Sequence, residues 1–349
     1  MKVAFAENHV IGSSGLEQKQ SFKISTTAHA FKILSSGLYS NKIAAVLREI
    51  GCNAHDAHVA VGKGHLPIEV KLPNRIDNQF WIKDWGPGLS HDEVMNLYTT
   101  YFASTKQESN DFTGAFGLGS KSPFSYTDSF TITSRHGGFN RIYSAHISND
   151  GCPNIALMSE TQDATDTGMS ISFPVKPTDF DNFATEARNI FPWFNPLPVI
   201  LGAPPIEPLK FKKDFGAYAF LDMPYRSQTC IIQMGNVHYP FNLSSLGSLP
   251  SDLQANQYHM SNVVLRFNLG DLQVAASREE LQYDPATQDT IKKALSKILI
   301  DMCVELDKKY KIASAGTWAD ICDFHNTRDT INSGFTITRK AFENSGLPD

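Results

Sequence analysis

Long apolar runs are missing from this sequence, as are paired cysteines, low-complexity tracts and a large excess of either charge. A membrane-spanning helix needs about 20 consecutive apolar residues. The most apolar stretch, 190–203, is broken by Pro192, Pro196 and Pro198, and residues 1–8 carry no run of signal length. Any membrane association is therefore expected to be peripheral. The five cysteines, Cys52, Cys152, Cys230, Cys303 and Cys322, never form a Cys-x-x-Cys pair, which argues against a zinc ribbon or a disulfide framework and for a reducing cytosol. A formal net charge of -5 gives no general attraction to phosphate backbones, so nucleic acid is not the favoured partner.

What is present is an ordinary globular composition, 41% hydrophobic and 19% charged over 349 residues, enough for two domains with their own cores. The pattern divides the chain into an irregular arm over 1–20, a first domain over 21–191, a proline-rich joint over 192–208 and a second domain over 209–349. In the first domain a strand is predicted at 21–25, helices at 28–36, 41–60, 92–101 and 180–191, and strands at 67–72, 79–84, 129–134, 141–147 and 169–173. In the second, strands are predicted at 217–222 and 229–234, a Ser/Leu-rich loop at 243–256, a hairpin at 263–275 and a long amphipathic helix at 286–310. Helices early and strands grouped late point to an α+β fold rather than strict β-α alternation.

Four segments carry chemistry. In the 41–60 helix, Glu49, Asn53 and Asp56 stand at i, i+4 and i+7 along one side, opposite an apolar stripe of Ile43, Val46, Leu47, Ile50, Ala54 and Ala57. A carboxylate with a neutral oxygen ligand one turn on suits a magnesium-nucleotide site, because the hard cation takes oxygen donors and the attacking water needs a base. At the end of the 79–84 strand, Asp84-Trp85-Gly86-Pro87-Gly88 sets a carboxylate beside backbone that a flat ring can approach, although an ordinary tight turn reads the same way. Gly114, Gly117 and Gly119, followed by Ser120, Lys121 and Ser122, form a glycine-rich loop able to aim amides at an anion. It is not a Walker loop, since Ser120 stands where the Walker pattern needs lysine. Thr167-Gly168 opens the 169–173 strand, and the polar segment 91–113 reads as a cover over a site. His55 and His58, at i and i+3, are disfavoured as metal ligands because no further ligand pattern accompanies them.

The order Glu-x3-Asn-x2-Asp, Asp-x-Gly-x-Gly, Gly-x2-Gly-x-Gly and Thr-Gly resembles the four boxes of the GHKL ATPases, the family of the gyrase B subunit, the ninety-kilodalton heat-shock chaperones, histidine kinases and MutL. The likeness covers about residues 21–175. It implies a GHKL (Bergerat) α/β sandwich followed by a transducer-like α/β domain, with ATP and Mg2+ as cofactors. Glu49 would then be the general base, Asn53 the magnesium ligand, and Asp84 the acceptor for the adenine amino group with Thr167 helping through water. Gly86 and Gly88 would admit the base. Gly114, Phe116, Gly117, Leu118, Gly119 and Ser120 would wrap the phosphates, Lys121 or Lys106 would neutralise them, and Asp56 would be structural or a contact at the nucleotide edge.

The segment Ser277-Arg278-Glu279-Glu280-Leu281-Gln282 is similar to the chaperone middle-domain stretch that reaches the γ-phosphate, which makes Arg278 a candidate sensor and Gln282 a second. The sequence of residues 31–36, 48–49 and 117–127 looks closest to the RIIA-like rapid-lysis proteins of T4-like bacteriophages. That resemblance implies a slow ATPase switch in the cytoplasm of an infected host, possible peripheral contact with its inner membrane, an RIIB-like or membrane-associated host partner, and a nucleotide-dependent homodimer. Two alternatives stay open: a nucleotide-holding interaction module without turnover, and a DNA-handling ATPase of the gyrase B or MutL kind.

Overall fold

A computed structural model describes residues 27–101, 117–163, 166–222, 229–256, 260 and 262–317. The predicted strand at 21–25 and residues 102–113 of the predicted cover lie outside these residues. The chain opens with helix α1 (Ala28–Lys32), which runs into a wider turn at Ile33–Gly37, followed by α2 (Lys42–Ala60). Strands β1 (Glu69–Lys71), β2 (Gln79–Lys83), β3 (Ser129–His136), β4 (Phe139–Ile147), β5 (Pro153–Gln162) and β6 (Gly168–Pro174) come next. Then follow α3 (Phe180–Ile190) and β7 (Val199–Leu201). These seven strands form one sheet in the order β5-β4-β3-β6-β2-β1-β7, antiparallel throughout except where β7 runs parallel to β1.

The second sheet is built from β8 (Phe211–Asp214), β9 (Tyr218–Leu221), β10 (Cys230–Met234), β11 (Val237–Phe241) and β12 (Val263–Phe267), in the order β11-β10-β12-β9-β8. Helix α4 (Ser251–Asn256) lies between β11 and β12, and α5 (Pro285–Ala315) closes the described chain. The mixed α+β class is therefore as expected, with a large, mainly antiparallel sheet and helices.

Helix α2 forms where its sequence places it. Asn41 caps it, with the side-chain oxygen accepting from Ala44 N–H at 3.0 Å. Val46, Leu47, Ile50 and Ala54 are buried, but the stripe is not opposite the polar edge as expected: Ile50, Ala54 and Ala57 line the same cavity as Glu49 and Asn53. Along β2 the alternation turns Phe80 and Ile82 inward. Phe80 then meets Phe173 of β6 and Phe183 of α3 with ring centroids 5.1 and 5.2 Å apart. Phe191 and Phe194 press on α2 so closely that a β-carbon at Gly51 would lie 3.1 Å from the Phe194 ring. The apolar cluster continues without a break into Ile232, Met234 and Leu265 of the second sheet.

Three local expectations are corrected. The proline-rich joint contributes β7 to the first sheet, because Val199, Ile200 and Leu201 pair in register with Glu69, Val70 and Lys71. The Ser/Leu-rich stretch is partly helical, with a short turn at Leu243–Leu246 and α4 at Ser251–Asn256 burying Leu246 and Leu253. The 263–275 hairpin does not form: β12 takes β10 and β9 as its neighbours, and Val274 bridges Leu281 instead. Strand β5, which no expectation covered, pairs along nearly all of β4.

Candidate functional site

Helix α2, the end of β2 and a short 3-10 turn at Gly119–Ser125 surround a cavity of about 380 Å³. That volume lies within the roughly 300–1,000 Å³ usual for small-molecule pockets. Glu49, Ile50, Asn53, Ala54 and Ala57 face it from α2, and Ile82, Asp84, Gly88 and Leu89 from β2 and the loop beyond. Gly117, Leu118, Gly119, Ser120 and Lys121 line it from the glycine segment, with Met169 and Ile171 from β6 and Arg278 from the second sheet's side. Leu97 and Tyr98, from the helical turn Glu93–Tyr98, form another wall where a cover was expected.

At one end Asp84 is buried, and its Oδ1 accepts from Gly86 N–H at 2.8 Å and Met169 N–H at 3.1 Å. These backbone donors fix the carboxylate against the cavity wall. Gly168 makes the contact possible. It has φ +129°, and a β-carbon there would come 2.1 Å from the Asp84 carbonyl oxygen, so β6 can approach Asp84 only with glycine at this position.

The Asp84 loop is tied back to α2 by His58, which is fully buried. Trp85 N–H donates to its Nε2 at 2.8 Å, so the ring's other nitrogen, Nδ1, is the one that donates to Leu66 O at 3.0 Å. Both nitrogens are thereby used, and burial pushes the His58 value below the ordinary histidine range. The unfolded chain takes up a proton first, so the neutral-ring contribution is full above about 6.5 and is lost as pH falls from there toward the lower folded value. Thermal melts between pH 8 and 5 should show this loss, and His58→Gln should remove that part of the pH dependence.

At the other end Glu49 is buried beside the glycine turn. A β-carbon at Gly119 would lie 2.5 Å from Glu49 Oε2 and 3.3 Å from Asn53 Nδ2, so the turn passes directly over both side chains. Arg278 Nη1 stands 3.4 Å from Glu49 Oε2, and Arg48 Nε 3.7 Å from Oε1. Burial is the largest influence on Arg278 and opposes its charge, but the Glu49 carboxylate together with Tyr239, Cys52 and Asp56 outweighs it and holds the guanidinium above its ordinary value. Lys121 is buried beneath the turn. Its Nζ donates to Thr100 O at 2.8 Å and Gly117 O at 3.0 Å between the rings of Tyr98 and Tyr101, and burial pushes it down to about 8.

A buried carboxylate, a glycine turn over it and a second carboxylate held by amides at the far end thus share one cavity. Residues 39–163 match the family of histidine kinase-, DNA gyrase B- and HSP90-like ATPases. This stretch is a GHKL-type ATPase domain. The chaperone protein HtpG of Rhodococcus jostii (strain RHA1) is 27% identical over 183 residues, covering 45% of this chain and 27% of the relative. The HtpG of Nocardia farcinica (strain IFM 10152) is 30% identical over 139 residues, covering 32% and 21%. The chain spans about a quarter of the length of the curated relatives it matches. Thr167, Arg278 and Gln282 fall beyond the matched residues of the GHKL domain.

Not every expected residue reaches the GHKL cavity. Gly86 packs on α2, where a β-carbon would lie 2.6 Å from Ala57 Cβ, so its smallness serves helix packing rather than entry of a base. Thr167 is exposed and outside the cavity wall, its N–H donating to Asp166 Oδ1 at 3.0 Å. Gln282 is exposed too, its N–H donating to Gln273 O at 2.9 Å, and it stays away from the cavity. Asp56 is buried outside the lining, near enough to Arg278 for its charge to be felt there. Lys121 does line the cavity, but its ammonium is bound to the backbone carbonyls of Thr100 and Gly117. Lys106, Gly114 and Phe116 lie outside the described residues.

Tyr39, Glu93, Leu97, Tyr98, His136 and Met169 line the cavity without having been singled out. Only the helix expected at 92–101 hinted at Leu97 and Tyr98. The donors fit Mg2+ well enough: Glu49 and Asn53 offer oxygen, the chemistry a hard cation takes. Among the described residues no group of three or more His, Cys, Asp or Glu gathers into a cage. An ion held mostly by phosphates and water needs none.

Proposed function

We propose that this chain is a nucleotide-operated conformational switch that binds MgATP in the GHKL cavity and hydrolyses it slowly. The observation that carries the proposal is Glu49, buried directly under the Gly119 turn with a guanidinium from the second sheet's side beside it. In this reading the adenine amino group donates to Asp84, and the ring lies against the apolar walls at Met169 and Ile171. The triphosphate runs along Gly117, Leu118, Gly119 and Ser120, and Glu49 takes the proton of the attacking water. Asn53 would hold Mg2+, which when bound supplies charge neutralisation to the phosphoryl oxygens. Arg278 would read the terminal phosphate and link nucleotide state to the position of the second sheet, which follows the GHKL domain as a transducer-like domain.

The similarity of residues 31–36, 48–49 and 117–127 to RIIA-like phage proteins supports a setting in lysis control or relief of prophage exclusion. An RIIB-like partner and a nucleotide-dependent homodimer belong to the same proposal. No helix among the described residues is long and apolar enough to cross a membrane, so contact with the inner membrane would be through the surface of the protein.

The test is phosphate release. Turnover is expected well below the enzyme median of about 10 s⁻¹ and should stop when EDTA removes Mg2+. Tight nucleotide binding with no release would instead favour a module that keeps ATP as a structural ligand.

A further inference from the structure

The turn that carries Arg278 is closed by short backbone bonds. Ala275 N–H donates to Glu280 O and Arg278 N–H to Ala275 O, both at 2.9 Å, and Val274 bridges Leu281 just outside. Within it Arg278 adopts φ +55°. A non-glycine residue in that region is uncommon and persists where its surroundings over-determine it.

Glu279, the next residue, supplies the hold. Its Oε2 accepts from Ser40 N–H at 2.8 Å and its Oε1 from Asn41 N–H at 3.1 Å. Those two amides stand where α2 begins, so the carboxylate meets donors that lack an intrahelical partner, at the positive end of the helix. Asn41 is fixed in turn by Glu186 of α3, to which its Nδ2 donates at 2.9 Å. A second tie runs from Arg48 Nη2 to Ser277 O at 3.0 Å. The Arg278 turn therefore rides on the same helix that carries Glu49, about two turns further along.

We propose that Glu279 is a positioning residue: by chelating the amides of Ser40 and Asn41, just ahead of α2, it sets where the Arg278 guanidinium stands relative to Glu49. The proposal rests on the reading of Glu49 and Arg278 given above. Glu279 is outside the cavity lining. Its effect is on register between the two sheets' elements: the second sheet's side can shift against α2 only by carrying the helix along or by releasing the carboxylate.

The experiment uses the full chain with Glu279→Ala and Glu279→Gln, each alone and in an Arg278→Ala background. Glu279→Ala is expected to keep the Kd for a non-hydrolysable ATP analogue within about twofold while kcat falls about tenfold. Glu279→Gln, which retains one acceptor oxygen, should recover part of that loss. In the Arg278→Ala background Glu279→Ala should have no further effect, the non-additivity expected of residues acting through one contact. Unchanged kcat, additive losses, or a loss of affinity that matches the loss of turnover would each overturn the proposal. A wild-type protein that releases no phosphate would defeat the hydrolysis reading alone, because the clamp is also read by amide hydrogen exchange. Glu279→Ala must then speed exchange at Ser40, Asn41 and across 275–280, and unchanged protection there would overturn it.

Discussion

Asp84→Asn is expected to lower the affinity for ATP by about 100-fold or more, close to 3 kcal/mol, in a protein that still folds. The reason lies in how the carboxylate is held. Oδ1 already accepts from the amides of Gly86 and Met169. In the variant the amide oxygen keeps that position, and an NH2 group replaces the second carboxylate oxygen. An adenine amino group then meets a donor where it needs an acceptor, and both groups are left unsatisfied in a buried place. A calorimetric titration measures the loss directly, and a thermal melt shows that the fold survives. Equal affinity in wild type and variant would remove Asp84 from the binding site.

Glu49→Gln should behave in the opposite way, binding nucleotide while turnover drops by about 100- to 10,000-fold, the range expected for loss of a general base. Glutamine is preferred to alanine because Arg278 is buried against this side chain. Truncating one member of a buried ion pair costs about 3–5 kcal/mol and would confuse lost chemistry with lost stability. Glutamine keeps an oxygen toward the guanidinium and removes only the basicity. Phosphate release measured at saturating ATP separates the two effects. Wild-type turnover in Glu49→Gln would show that another group, or water alone, takes the proton.

What the sequence revealed and what it hid divide along physical lines. Helix α2 was legible because an apolar stripe and a polar edge recur at helical spacing within 20 residues. Glu49, Asn53, Asp84 and the Gly117–Lys121 segment could be named because close approach and oxygen-rich chemistry restrict residue types strongly. Side-specific roles were harder to read. Gly86 and Gly88 look alike in the sequence, yet Gly88 lines the cavity and Gly86 packs on Ala57. Gln282 follows Arg278 by one turn of a helix, but the segment is a tight turn bridged to Val274, which points the two side chains differently. Strand β7 is only three residues long within a proline-rich stretch, and its parallel pairing with β1 depends on a partner about 130 residues earlier, which no local pattern encodes. The Glu279 clamp is of the same long-range kind.

The account stands or falls on where a nucleotide sits. A crystal structure of the full chain with Mg2+ and a non-hydrolysable ATP analogue should show adenine against Asp84, the phosphates along Gly117, Leu118, Gly119 and Ser120, and the terminal phosphate within reach of both Glu49 and Arg278. Adenine bound elsewhere, or a cavity still empty at saturating analogue, would contradict it.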